Sequence, residues 1–216
     1  MPELTFAATR ATCLPHCVAP TLALTLEVTS RDGAPVQAIA LECQVRIEAQ
    51  RRRYQEAERA RLADLFGEPS RWAHTLRSLL WTHAAVNVPA FETSTAVDLH
   101  LPCTADLTVL AGKYFSALDP EGTVPVTLLF SGTVFYQGPD GRLLISRVPW
   151  SAETGYELPV ALWRDLLQTY YPNTAWLTLR RDVFERLRAF KAERGLPTWE
   201  MAVTELLEAR AEEVRR

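Results

Sequence analysis

The chain has 216 residues, 48% of them hydrophobic and 23% charged, with a net charge of −3. This composition is typical of a folded domain with a buried core, and the slight negative charge argues against a general binder of nucleic acids or anionic membranes. No apolar run approaches the ~20 residues that span a bilayer, and the N-terminus lacks the pattern of a secretion signal. We therefore expect a cytoplasmic protein whose four cysteines remain thiols.

The first strands predict an antiparallel meander. Leu4, Phe6 and Ala8 alternate with other residues, and the next two segments place apolar side chains at every second position. A period of two is typical of a strand with one buried face. We predict that seven residues share one core: Leu22, Leu24, Leu26, Ile39, Leu41, Val45 and Ile47.

Between the first two strands lies a loop with two thiols and one imidazole. Its potential ligands are Cys13, His16 and Cys17, and thiolate and imidazole groups bind zinc. Cys103 or His100 could complete such a site. The spacing matches no common zinc signature, so a loop with half-buried cysteines is the favoured interpretation, and we expect no tightly bound metal.

Three arginines follow the third strand: Arg51, Arg52 and Arg53. Such a run is typical of an anion-binding patch. Carboxylates at Glu48, Glu56 and Glu58 favour instead a solvated strand end with ion pairs. Residues 56–66 then predict a short helix that ends at Gly67, within a helical insertion near 56–75.

From residue 80 the period of two returns. We expect Leu80, Thr82 and Val88 to share one face of a strand, with Trp81 and His83 on the opposite face. The next strand carries a carboxylate and an imidazole on one face, at Asp98 and His100, a pair that a general base would need. No nucleophile motif or cofactor-binding glycine pattern accompanies them, so we favour a surface pair and predict no catalytic residue and no cofactor.

The segment from Cys103 to Val109 predicts a further strand. Residues 123–136 form the longest apolar run, which is typical of a central strand, and Gly132 within it indicates a bulge. A hairpin leads to residues 143–148, Pro149 and Trp150 end it, and Pro159 is suited to the first position of a helix.

Five aromatic residues are concentrated around this helix: Trp150, Trp163, Tyr170, Tyr171 and Trp176. At helical and strand spacing they indicate core packing more than a ligand cage. If several of them are exposed together, they mark a partner surface.

The stretch from Trp176 to Leu207 has the order strand, helix, turn, helix. We expect Asp182 to cap the first helix, Gly195 to stop it, and Thr198 to cap the second. The same order occurs in ribbon-helix-helix DNA readers. Because the last helix is acidic, we favour a helical pair with Trp176 buried and with Leu177 and Leu179 packed against the helices.

These elements predict an α+β fold. An antiparallel β-sandwich domain covers residues 1–155, with its helical insertion near 56–75. A C-terminal helical segment covers 156–216 and consists of a helix, a short strand and two helices, with the strand-helix-helix unit at 176–214.

Six segments resemble those of a bacterial family known only as a domain of unknown function. They are Arg51–Tyr54, Leu65–Glu68, Leu129–Phe135, Val148–Trp150, Tyr171–Asn173 with Trp176–Leu177, and Leu196–Trp199. That family is associated with gene clusters of nickel-iron uptake hydrogenases. The resemblance implies an accessory or assembly role beside such an enzyme, with hydrogenase subunits as possible partners, and it supplies no catalytic residues.

We therefore expect a non-enzymatic accessory or interaction protein. Two alternatives stay open: a ribbon-helix-helix-like DNA-binding regulator with a β-sandwich sensor domain, and a metallochaperone that uses the Cys13, His16 and Cys17 loop. The candidate contact residues for a protein partner are Arg51, Arg52, Arg53, Trp150, Tyr171 and Trp199.

Overall fold

The computed structural model describes residues 2–104, 109–174, 177 and 179–215. The chain divides into two compact units, Met1–Asn173 and Thr174–Arg216. No helix among the described residues is both long and apolar enough to cross a membrane.

In the described residues the strands are β1 Leu4–Leu14, β2 Thr21–Ser30, β3 Val36–Ile47, β4 Leu79–Val88, β5 Ser94–Pro102, β6 Thr123–Gln137, β7 Leu143–Arg147 and β8 Glu153–Pro159. The α-helices there are α1 Glu56–Phe66, α2 Trp72–Thr75, α3 Val109–Ser116, α4 Val160–Tyr170, α5 Arg181–Glu193 and α6 Trp199–Arg215.

The strands form two antiparallel sheets. One sheet has the order β1-β2-β5 and the other β4-β3-β6-β7, with β8 paired to β6 beyond the end of β7. Two antiparallel sheets with helices that are mostly C-terminal confirm the predicted α+β fold with a sheet sandwich. The predicted domain boundary near residue 155 falls inside β8.

The core lies between the inner faces of the two sheets. All seven residues predicted to share it are at most 1% exposed and belong to one apolar cluster. They lie on β2 and β3, where side chains alternate between the two faces of a sheet, so the period of two in the sequence becomes one buried face.

A bulge in β4 reverses part of the predicted pattern. The β3/β4 register shifts between Val45 and Arg46, which pair with Thr82 and Leu80. The extra residue, Trp81, is buried together with Thr82, whereas Leu80 is 53% exposed. The predicted grouping of Leu80 with Thr82, on the face opposite Trp81, is therefore wrong, because one inserted residue exchanges the two faces of a strand.

Two further predictions need correction. Cys103 lies beyond the end of β5 and Val109 begins α3, so neither residue belongs to the predicted strand, and Leu107 lies outside the described part of the chain. Pro159 is the last residue of β8, a strand that was not predicted, and the helix begins one residue later. Periodicity distinguishes short strands poorly from short helices, and Pro159 fits both an edge strand and the start of a helix.

Helices of the first unit support an aromatic cluster. Trp163 of α4 stacks on Phe115 of α3 at a centroid distance of 4.8 Å, and Trp81 contacts both rings. Trp163 is 2% exposed, in agreement with the packing role expected for it.

Gly132 permits the close approach of β6 to β3. The β3/β6 register runs without a shift through Gly132, so the predicted bulge is absent from this ladder. The backbone there has a φ of +145°, and a Cβ atom would lie 2.1 Å from the carbonyl oxygen of Ala40. Only glycine fits such a contact.

The second unit contains α5 and α6. Helix α5 begins at Arg181 after an Arg180 N-cap, so Asp182 lies in the first turn and is not the predicted cap. Gly195 has a φ of +62° and ends α5 as expected. The Thr198 hydroxyl accepts a hydrogen bond from the amide of Met201 at 3.2 Å, consistent with its predicted capping role.

The predicted short strand before α5 is not seen at the residues that the structure describes there. Leu177, Leu179 and Arg180 belong to no strand, and Trp176 and Thr178 lie outside the described residues. Leu177 is 75% exposed, so its predicted packing against the helices is wrong. Alternation over so few residues carries little information when no neighbouring strand completes a ladder.

Candidate functional site

The three consecutive arginines have different environments. A 3-10 turn, Ala49–Arg51, follows β3, and the chain then leads into α1. Arg52 turns inward, and its two terminal nitrogens donate hydrogen bonds of 2.8 and 2.9 Å to the two carboxylate oxygens of Glu58. Its Nε atom donates to the carbonyl oxygen of Thr123 at 2.8 Å. Arg52 therefore joins the start of α1 to the start of β6.

Glu58 is the buried acceptor of the two hydrogen bonds from the terminal nitrogens of Arg52. Its side chain is 1% exposed, and it also accepts hydrogen bonds from the backbone amides of Gln55 and Asp119 at 3.0 and 2.9 Å. Burial acts to raise the pKa of Glu58, but the hydrogen bonds from Arg52 and the two amides outweigh burial and lower that pKa to about 2. The ion pair predicted near this strand end is thus present but buried rather than solvated.

Two tyrosines lie next to the ion pair. The Tyr54 hydroxyl donates to the carbonyl oxygen of Ala49 at 2.7 Å and lies 2.7 Å from the Tyr114 hydroxyl. Since Tyr54 has one proton to donate, Tyr114 is the donor between the two hydroxyls. Burial raises the pKa of both Tyr54 and Tyr114, so both stay protonated at neutral pH. This network fixes α1 and α3 against the end of the sandwich.

Arg51 and Arg53 face solvent beside a groove of about 310 Å³. Gly122, Thr123 and Glu157 also line this groove, and the Thr123 hydroxyl donates to Glu157 at 2.8 Å. Among the described carboxylates, none forms an ion pair with Arg51 or Arg53. The groove carries both signs of charge, because Glu157 offsets part of the arginine charge.

The three candidate metal ligands Cys13, His16 and Cys17 lie in different environments. Cys13 lies on β1, where its thiol donates to the carbonyl oxygen of Leu162 at 3.4 Å. His16 is exposed, and the backbone amide of Cys17 donates to the Tyr170 hydroxyl at 2.9 Å. Tyr170 in turn donates to the carbonyl oxygen of Leu14 at 2.7 Å, so α4 holds the loop through backbone contacts.

The thiols and carboxylates do not converge on a metal position. Burial, and to a lesser extent the charge of Asp165, raises the pKa of the Cys13 thiol. Burial raises the pKa of Cys43 and of Cys103 to about 12. Among the residues that the structure describes, no three His, Cys, Asp or Glu side chains are grouped as metal ligands.

His83 and His100 lie on different sheets. His83 projects from β4 into an open depression of about 650 Å³, where its Nε2 atom is 3.1 Å from the amide nitrogen of Gln44. Asp98 and His100 lie on β5 of the other sheet, and both are exposed. The Asp98 carboxylate accepts from the Thr25 hydroxyl at 2.8 Å, which is an ordinary cross-strand contact.

Trp150 is the most exposed of the four residues of the predicted aromatic set that the structure describes. It is 94% exposed in a turn closed by a hydrogen bond of 3.0 Å from the amide of Ala152 to the carbonyl oxygen of Pro149. The preceding strand, β7, exposes Leu143 and Ile145 by 61% and 64%. An indole and two aliphatic side chains therefore lie in solvent within eight residues of the chain. By contrast, Tyr171 is half-buried at the end of α4.

Trp199 begins α6 and contacts α5. Its ring lies 5.3 Å from that of Phe184, and the Lys191 ammonium is 5.4 Å from its centroid. Both aromatic rings remain about 40% exposed. The two helices have little core of their own, since α5 has no buried residue and Ala202 is the one buried side chain described in α6.

Sequence reasoning missed several of these residues. The glutamine at position 55 and the glutamate three residues later are the signal of a capping box, which the structure contains, and they could have identified Glu58 as a structural group. Leu143 and Ile145 were recognised as strand residues, but no local signal reveals that their strand lies at a sheet edge.

Among the comparisons with known proteins, one family match covers nearly the whole chain. No curated protein matches this chain. The crystal structure of the putative ApaA protein from Bordetella pertussis is 14% identical, covers 73% of this chain and 95% of that chain, and has a TM-score of 0.28. The solution structure of a putative late embryogenesis abundant protein is 10% identical, covers 74% and 73%, and has a TM-score of 0.27. Neither structural likeness is close enough to support an argument. Residues 1–215 match DUF6084, described as a family of unknown function, and the chain belongs to that family.

Proposed function

We propose that this protein is a non-enzymatic interaction protein whose α5–α6 unit docks on a protein partner. The observation that carries the proposal is the apolar surface of this unit. Seven large apolar side chains between residues 177 and 207 are 38% to 75% exposed. They are Leu177, Phe184, Trp199, Met201, Val203, Leu206 and Leu207.

Exposure of this kind is costly in water. Burial of a large aliphatic or aromatic side chain contributes about 1.5–3 kcal/mol, and contiguous apolar surface of a monomer commonly marks an interaction site. With Ala202 as the one buried side chain described in α6, most of the apolar residues of that helix remain available to another protein.

The identity of the partner is the second part of the proposal. The family that the sequence resembles is associated with gene clusters of nickel-iron uptake hydrogenases, and we propose hydrogenase subunits as the first partners to test. In this role the protein contributes binding surface, and the chemistry belongs to the enzyme that it accompanies.

The test is co-purification of the tagged full chain from cells that express the hydrogenase. Leu207 is 66% exposed, so Leu207→Asp places a charge in the apolar surface without loss of a buried contact. Thr204→Asp adds the same charge at an exposed polar position of the same helix and is the matched control. We expect hydrogenase subunits to co-purify with the wild type and with Thr204→Asp, and to be lost with Leu207→Asp. Isolation of the wild type alone, or equal retention by both variants, would contradict the proposal.

A further inference from the structure

Strand β7 is an edge strand with an open outer side. It pairs with β6, and no strand among the described residues pairs with its other edge. Strand β8 lies on the same side of β6, but β1 of the other sheet runs alongside it. The exposed part of this sheet edge is therefore the five-residue segment Leu143–Arg147.

The hydrogen-bond pattern shows which backbone groups face outward. The amide of Val148 donates to the carbonyl oxygen of Gly132 at 3.0 Å, and the amide of Gly138 donates to that of Arg142 at 2.8 Å. Directly opposed residues of an antiparallel ladder alternate between bonded and non-bonded pairs. The backbone amide and carbonyl groups of Leu144 and Ser146 therefore form hydrogen bonds with β6. The amide and carbonyl groups of Leu143, Ile145 and Arg147 consequently point away from the sheet.

The same three residues present two apolar positions and one cationic position to an added strand. Leu143 and Ile145 are about 60% exposed, and Ile145 lies opposite Phe135 on β6, so an added strand would extend this row of side chains. Arg147 is exposed and forms no ion pair with any described carboxylate. Arg142 differs, because it lies 3.3 Å from Asp140.

We propose that β7 binds an extended segment of a partner protein by strand addition. The segment runs antiparallel to β7 and carries an acidic residue opposite Arg147, followed at alternate positions by two apolar residues opposite Ile145 and Leu143. Main-chain hydrogen bonds supply most of the attraction, and the alternate side chains supply the selectivity. This site lies on the β-sandwich unit and goes beyond the docking role proposed for α5 and α6.

An extended peptide fits this edge better than a second copy of the chain. The exposed parts of Leu143, Leu144, Ile145 and Trp150 amount to roughly two and a half side chains, or about 500 Å² at the ~200 Å² of a large side chain. A standard interface buries about 800 Å² on each partner. A symmetric pairing of two β7 strands centred on Ile145 would also place Arg147 opposite Leu143 and leave its charge unpaired.

The test uses the full chain and a capped peptide of sequence Thr-Glu-Thr-Ile-Thr-Ile-Thr. Amide chemical shifts and hydrogen exchange are measured during titration. We expect Leu143, Ile145 and Arg147 amides to gain protection, whereas Leu144 and Ser146 are already protected without peptide. A peptide of the same composition in scrambled order should bind at least about fivefold more weakly, because it cannot match the alternation.

Variants at the edge separate the two sources of attraction. Ile145→Pro removes one outward donor and keeps the bonds to β6, so we expect peptide binding to be lost. Arg147→Glu should weaken binding about fivefold or more and favour a peptide with lysine in place of glutamate. Arg142→Glu makes the same charge change at a residue already paired and is the control. The amide spectrum of each variant verifies that it is folded.

Three results would overturn the proposal. The first is the absence of shifts at β7 up to millimolar peptide, and the second is equal binding of the scrambled peptide. The third is a wild-type dimer that Ile145→Pro dissociates, which would identify a second copy of the chain as the occupant.

Discussion

Arg52 and Glu58 form a bidentate ion pair beneath two solvent-facing arginines. Their side chains are 9% and 1% exposed, in contrast to the exposed side chains of Arg51 and Arg53. The middle arginine of the run is therefore a structural group, and any anion that the run attracts meets the outer two.

The stability of the fold depends on this pair. Arg52→Ala leaves the Glu58 carboxylate buried without its cation, and loss of one partner of a buried pair costs about 3–5 kcal/mol. We expect a loss of this size in the free energy of unfolding, measured with urea. Arg53→Ala is the control and should change it by no more than about 0.5 kcal/mol. Equal effects of the two substitutions would show that the pair is not stabilising.

Acid should destabilise the protein through Glu58. Its pKa is about 2 in the folded chain, against an ordinary value of 4.5, so over this range the unfolded chain binds more protons. The free energy of unfolding therefore falls as the pH is lowered from about 4.5 toward about 2. We expect the urea midpoint of the wild type to fall more steeply with acid than that of Glu58→Gln. Parallel curves for the two proteins would contradict the assignment.

Gly132 should not tolerate a side chain. In Gly132→Ala the Cβ atom would lie 2.1 Å from the carbonyl oxygen of Ala40, at a φ that disfavours alanine. We expect a loss of about 3 kcal/mol or more in unfolding free energy, since β6 must move away from β3. Gly155→Ala, whose nearest atom would be 3.8 Å away, should change stability by less than about 1 kcal/mol. A small effect of Gly132→Ala would show that the strands separate easily at this point.

We predict that the chain binds no metal tightly. A metal needs thiolates, whereas burial raises the pKa of Cys13, and its thiol donates to the carbonyl oxygen of Leu162. Elemental analysis of protein purified without a chelator should give well under one zinc, nickel or iron per chain. One equivalent that disappears in the Cys13→Ser, Cys17→Ser variant would support the metallochaperone hypothesis instead.

We also predict that the α5–α6 unit does not retain duplex DNA. Arg180, Arg188 and Arg194 each lie within 3.3 Å of a carboxylate, which reduces the positive charge available to phosphates. A gel-shift titration at low salt should leave the DNA unbound. Retention that weakens steeply with salt and is abolished by Arg180→Ala would establish a DNA reader.

Side-chain alternation allowed the two central strands, β2 and β3, and their core residues to be predicted. It could not place Leu80 and Trp81, because a bulge depends on the partner strand and changes which face is buried. The same limit applies to the candidate sites. Arg52 and Arg53 are adjacent residues of the same type, so the sequence does not distinguish them. The packing of α1 and β6 decides which of the two is buried. That β7 is an edge strand follows from the order of strands in the sheet, which its own residues do not encode.

The pairing of β3 with β6 has a consequence for synthesis on the ribosome. Ile47 pairs with Val126, roughly 80 residues later in the chain, and at ~5–20 residues per second the synthesis of the intervening residues takes several seconds. During that time β3 can pair with β4, but the edge of β3 that β6 later occupies has no partner. Pairings between distant segments also form slowly. The interval before β6 emerges is therefore when the nascent chain is most exposed to aggregation, and when a chaperone would have most effect on its yield.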